Sequence, residues 1–219
     1  MNSGLISAVQ RDAKQKNRYH VYVDDTWAFS VHQDILVKYR LLQGTAIDAD
    51  LYAEVLQAEE RHKAYLAALR LLGARARTAR QLEQCLTHKG YAPEIAREVR
   101  TACEQQGYLD DREFARRWVD ERLRSRPRGK YALKMELLQQ GIDKEIAESV
   151  LAALDQRQEL TAARRWLAKR LRKIRTPVTP QEAQKLLLAL QRKGFSPAVV
   201  QAMKKELSSS AECPEELDE

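Results

Sequence analysis

Cysteine, histidine and aromatic side chains are all sparse in this chain, and no stretch of it is apolar for long. Only three cysteines occur, Cys85, Cys103 and Cys213. None has the CxxC or histidine spacing that marks a zinc site. An odd, low count suits a reducing cytosol, and Cys85 and Cys103 fall on apolar helical faces as small core residues. The four histidines, His20, His32, His62 and His88, are scattered and read as surface or hairpin positions. There is no GxxxxGK[ST] phosphate loop, no HExxH, no GxSxG and no carboxylate–histidine arrangement suited to acid–base work. The expectation is therefore no enzyme, no cofactor and no bound metal. No apolar run approaches the ~18 residues of a membrane span, and MNSGLISAVQRDAK at the start lacks a signal-peptide core. A soluble, cytoplasmic protein is expected. With aromatics at 6% and charged residues at 32%, its cores must be small and aliphatic.

Charge and repetition are what the chain has in quantity. Residues 1–211 carry +12, and Glu212, Glu215, Glu216, Asp218 and Glu219 bring the whole to +7. Such a surplus favours polyanions through phosphate neutralisation and counterion release. The hexapeptide FARRWV at 114–119 returns 48 residues later as AARRWL at 162–167. Each copy leads into a second shared stretch, MELLQQGIDKEIAESVLAAL from Met135 and LALQRKGFSPAVVQAMKKEL from Leu188. A looser copy, CLTHKGYAPEIAREVRTAC, lies at 85–103, and aligning Gly90, Gly141 and Gly194 gives intervals of 51 and 53 residues. Fixed periods in this range indicate tandem modules, which more often present a binding surface than a catalytic pocket.

The segment YHVYVDDTWAFSV at 19–31 alternates on both sides of Asp24-Asp25 and reads as a β-hairpin. A three-residue loop would oppose Val23, Val21 and Tyr19 to Trp27, Phe29 and Val31, whereas a two-residue loop would set Tyr22 against Trp27. A helix follows near 32–42, ended by Gly44, and Asp48 or Asp50 caps a longer one reaching about Leu72. Three short units come next, each of three helices. Capping boxes at Thr78/Gln81 and Thr179/Glu182, caps at an aspartate of Asp110-Asp111 and at Asp143, and starts at Pro93 and Pro197 mark the helices. The architecture expected is all-α, tandem three-helix repeats in an elongated curved array, with a small N-terminal β-hairpin plus helix. Its parts are 1–60 (hairpin and helices), 61–106, 107–155 and 156–207 (the repeats), and 208–219, an acidic tail expected to be disordered.

Helical phase places Phe114, Ala115, Trp118, Val119 and Leu123 of the second unit inward, with Ala163, Trp166, Leu167, Leu171 and Ile174 of the third. Arginines and lysines take the other side. Arg116, Arg117 and Arg124 recur as Arg164, Arg165 and Arg172, the third unit adds Lys169 and Lys173, and Arg126, Arg128 and Lys130 extend the charge through a loop. Residues 161–175 contain no acid. These eleven positions form the candidate binding stripe, spaced to follow a regular polyanion or filament. Arg122 and Arg170 point towards the apolar side, where pairing with a carboxylate or carbonyl is expected. Trp118 and Trp166 are core residues by the same phase rather than stacking platforms for bases.

The run 107–146 closely resembles the central signature of the bacterial regulatory protein RecX family. The turn Gly107–Asp111, the helix motif Phe114–Trp118, the Arg128-Gly129 loop, and Glu136-Leu137 with Gly141-Ile142 carry the likeness, supported by KGY at 89–91 and KGF at 193–195. The resemblance implies a non-enzymatic modulator of the RecA recombinase. Such proteins bind the RecA–single-stranded DNA filament, lodge along its helical groove and limit its extension, so that ATPase, strand-exchange and co-protease activities fall. Partners implied are the RecA filament and single-stranded DNA, direct or through RecA, with no membrane and no need for more than a monomer. A helix-turn-helix-like DNA regulator is the competing expectation, and a helical adaptor for another protein a third.

Overall fold

The computed structural model describes residues 3–172, 174 and 178–209. The chain separates into two compact units, one comprising residues up to Ala76 with Leu82–Leu109, the other Arg77–Gln81 with the chain from Asp110 onward.

The first unit opens with strands β1 (Gly4–Arg11), β2 (Arg18–Val23) and β3 (Thr26–His32), then helix α1 (Gln33–Lys38), strand β4 (Ala46–Ile47) and helix α2 (Ala49–Ala74). The strands form one sheet in the order β3-β2-β1-β4. The expected hairpin is β2–β3, but β1 and β4 widen it into a four-stranded sheet. β1 escapes a period-two reading because a bulge after Ile6 breaks its alternation, so Ile6 and Val9, three residues apart, both pack on the core.

The hairpin turn resolves the two loop readings. Asp24 and Asp25 both have positive φ, 48° and 63°, the geometry of a two-residue type I′ turn, which aspartate tolerates. Tyr22 does face Trp27, yet an irregularity beyond it returns Val21 to Phe29 and Tyr19 to Val31. Val21, Phe29 and Val31 thereby reach the core with Ile35, Leu41, Ile47, Val55 and Ala58. α1 is shorter than expected. It stops at Lys38 because Arg40 turns left-handed at φ 48°, which carries the fully buried Leu41 back under the helix. Asp48 caps α2 by accepting from Leu51 N at 2.8 Å. The rest of this unit is most of α3 (Ala79–His88) and all of α4 (Pro93–Gln105), whose Leu82, Leu86, Ile95, Val99 and Cys103 are buried.

The second unit holds α5 (Asp111–Ser125), α6 (Lys130–Gln139), α7 (Lys144–Ala152), α8 (Gln156–Leu171), α9 (Pro180–Arg192) and α10 (Pro197–Ser209). α10 thus runs to Ser209, two residues past the expected limit, and the acidic segment from 210 lies outside the described residues. Caps explain the boundaries. Asp110 accepts from Glu113 N at 2.9 Å, acids occupy the first turn of α5 and arginines its last, which suits the helix dipole. Asp143 caps α7, and Thr179 with Glu182 completes the predicted box on α9. Asp155 and Gln158 form another on α8. α5–α7 enclose Ala115, Val119, Leu133, Leu137, Ile142 and Leu151. α8–α10 enclose Ala163, Trp166, Leu167, Leu190, Val199 and Met203. Leu123 packs on both cores.

A repeated joint organises this unit. The first N–H of α3, from Ala79, donates to Asp111 Oδ1 at 2.8 Å, and that of α6, from Lys130, donates to Glu159 Oε1 at 3.2 Å. Asp111 and Glu159 stand 48 residues apart, the spacing of the two Arg-Arg-Trp triplets. Each carboxylate therefore satisfies the orphan N–H of a helix in the preceding module. The carbonyls before Gly141 and Gly194 are used likewise: Gln140 O accepts from the Thr78 hydroxyl at 2.8 Å, Lys193 O from Gly129 N at 3.0 Å. Thr78 also accepts from Gln81 N at 3.2 Å, but the Gln81 amide donates to Gln140 Oε1 at 2.8 Å, so the predicted box is spent on the joint.

Candidate functional site

The basic positions sort into three groups. Arg116, Arg126, Lys169 and Arg172 are exposed, and their side chains make no hydrogen bond or ion pair among the described residues. Arg117 and Arg124 are also exposed but rest on their own helix, Arg117 against Glu113 at 2.8 Å and Arg124 on the Asp120 carbonyl at 3.2 Å. The rest are engaged elsewhere. Arg164 makes a two-nitrogen contact with Glu206. Lys130 Nζ donates to Leu154 O at 2.7 Å. Arg128 Nε lies 3.1 Å from Glu136 Oε1. Arg128, Lys130 and Arg164 thus brace the unit rather than stand free, and Lys173 lies outside the described residues.

Arg165 marks where the two arginine-bearing helices meet. Its equivalent, Arg117, faces Glu113 four residues back, but Thr161 holds that place before Arg165. Arg165 Nη1 instead reaches the Leu123 and Arg124 carbonyls at the end of α5, at 3.3 and 3.4 Å. Between α5 and α8 opens a groove of about 500 Å³ lined by Asp120, Arg124, Arg157, Thr161 and Arg165. Three guanidiniums against one carboxylate leave it positive, suited to a phosphate or another anionic group. The recurring hexapeptide does not reveal Arg157, which precedes it. The available clue is a cation in the first turn of a helix, where the dipole disfavours it.

The expected pairing of Arg122 is present. Its Nε lies 2.9 Å from Glu136 Oε2, its guanidinium 4.4 Å from the Trp118 ring centroid, and Trp118 Nε1 donates to the same oxygen at 3.2 Å. Arg170 departs from expectation. It is exposed and lies over the Trp166 ring at 5.4 Å, with Lys193 Nζ 5.8 Å from the same centroid. Burial first, then Arg128 and Arg170, hold the Lys193 ammonium below the usual lysine range. Trp166 is buried and Trp118 half-buried, so both tryptophans serve packing and cation–π contacts.

The histidines are less scattered than the sequence suggests. The His32 and His62 rings lie 4.3 Å apart, with the Asp34 carboxylate beside both.

Three-helix modules with a shared joint, preceded in the chain by a small sheet domain, define a modular, mainly helical repeat protein. Four family models match in order: the regulatory protein RecX N-terminal domain at 4–48, and the RecX first, second and third three-helix domains at 64–101, 110–151 and 157–203. The chain is 31% identical over 198 residues to the regulatory protein RecX of Bacillus subtilis (strain 168), covering 90% of this chain and 75% of that one. It is 30% identical over 207 residues to that of Bacillus cytotoxicus, covering 93% and 77%. A crystal structure of regulatory protein RecX superposes with a TM-score of 0.80 at 26% identity, over 92% of this chain and 98% of that one. The chain belongs to the RecX family of regulatory proteins. Among the described residues no helix is long and apolar enough to cross a membrane.

Proposed function

We propose that this protein regulates the RecA recombinase by lodging on RecA–single-stranded DNA filaments, acting in the cytoplasm as a monomer without cofactor or catalysis of its own. The observation that carries this reading is the basic groove between α5 and α8, where Arg124, Arg157 and Arg165 converge, together with Arg116, Arg126, Lys169 and Arg172, which are exposed and have no side-chain partner among the described residues. Family membership supports the choice of target. Cations recurring on the first helix of successive modules suit tracking along a backbone, since phosphate contacts position a protein without reading sequence. A base-reading helix would instead place its determinants at the start of a single recognition helix.

The test is the DNA-dependent ATPase of preformed RecA filaments with the protein titrated in. ATP turnover should fall to a low plateau. Unchanged turnover, together with selection of a specific duplex sequence, would favour the DNA-regulator reading. Unchanged turnover with no salt-sensitive nucleic-acid binding would favour an adaptor.

A further inference from the structure

We propose that His32, Asp34 and His62 form a binding site for a divalent cation of the zinc class in the N-terminal unit. His32 ends β3 and caps α1, Asp34 sits in the first turn of α1, and His62 lies on α2. Asp34 Oδ2 is 3.4 Å from His32 Nδ1 and 3.8 Å from His62 Nε2, and one donor atom from each residue lies within 4.8 Å of the other two. Tetrahedral ligands held at 2.0–2.2 Å from zinc stand roughly 3.3–3.5 Å apart, so small side-chain shifts bring the three donors into range.

The donors suit the ion. Both histidine side chains are 16% exposed, and His62 Nε2 is shut off from solvent without a hydrogen-bond partner. A buried imidazole nitrogen with nothing to bond is costly, and a metal ion would use its lone pair. Asp34 brings a negative charge and is the exposed member. Two imidazoles and one carboxylate form a three-ligand set that leaves a fourth position open. Asp34 and His62 also line a cavity of about 420 Å³ together with Lys38, Arg61, Tyr65 and Glu98, which has room for water or an incoming donor. His32 Nδ1 also accepts the Asp34 N–H at 3.2 Å, so an ion bound there would replace that cap and tie β3, α1 and α2 together directly.

The experiment uses the untagged full chain stripped of metal with chelator, titrated with cobalt(II) and with zinc. The expected result is one saturable site per chain, a visible d–d band with cobalt, and a raised unfolding midpoint with zinc. His62→Gln and Asp34→Asn should each weaken binding on the order of tenfold or more, while His20→Gln leaves it unchanged. Circular dichroism of each variant without metal establishes that it folds. A chain that takes up no ion at one equivalent overturns the proposal, as does uptake that survives both substitutions in folded protein.

Discussion

Glu136 receives Arg122 at 2.9 Å, Arg128 at 3.1 Å and the Trp118 indole N–H at 3.2 Å, so one carboxylate holds the first helix of its module to the loop before the second. With the carboxylate largely shielded, Glu136→Gln should cost about 1–3 kcal/mol by leaving two guanidiniums poorly paired, a loss that urea unfolding would register as a lower midpoint at unchanged slope. Arg128→Ala should likewise reduce stability and leave filament affinity near wild type, because its charge is already spent. Gly129 acts through space rather than through its backbone angle. A Cβ there would lie 2.1 Å from the Gly194 carbonyl oxygen, so Gly129→Ala should destabilise by about 1–3 kcal/mol through overpacking, again read by urea unfolding. At this scale the sequence displays the motif without its purpose. Arg128-Gly129 and Glu136 stand in one signature, but their ion pair spans a loop and a helix turn, and a stripe drawn by helical angle cannot see a partner supplied by another element.

Helix ends are the most legible feature, because caps are local. Asp143 and Thr179 cap where the sequence places them, and of the two aspartate pairs it leaves open Asp48 and Asp110 are the caps. The misses at this scale have non-local causes. Thr78 and Gln81 look like a self-contained box, yet their side chains serve Gln140, 62 and 59 residues away. β1 hides behind a bulge, and His32 meets His62 only because α2 packs on the end of β3. The joint offers a direct test. Glu159 is 1% exposed and accepts from Lys130 N, Ser196 N and the Ser196 hydroxyl at 3.2, 3.1 and 2.9 Å. Glu159→Ala leaves these donors without an acceptor at the boundary of two modules, at a cost on the order of 2–4 kcal/mol. Amide hydrogen exchange should speed up most at Lys130 and Ser196. Protection unchanged at both would mean that the carboxylate does not secure the joint.

For the whole molecule the question is where unspent positive charge remains. Of the eleven basic positions named from the sequence, Arg128, Lys130 and Arg164 are engaged by Glu136, the Leu154 carbonyl and Glu206, and Arg157, unnamed, joins Arg124 and Arg165 in the groove. The periodicity locates the right helices. It cannot rank the cations on them, because ranking depends on acids and carbonyls that tertiary packing delivers. If the remaining cations bind phosphates, affinity for filaments should weaken linearly in log Kd against log salt, and removing each phosphate-binding side chain should lower the slope by about 0.7 on single-stranded DNA. The most direct measurement compares wild type with a variant carrying Ala at Arg116, Arg124, Arg157, Lys169 and Arg172, each assayed against the ATPase of preformed RecA filaments. Wild type should inhibit and the variant hardly at all, at unchanged helical content. Equal inhibition by both would contradict a role for these cations.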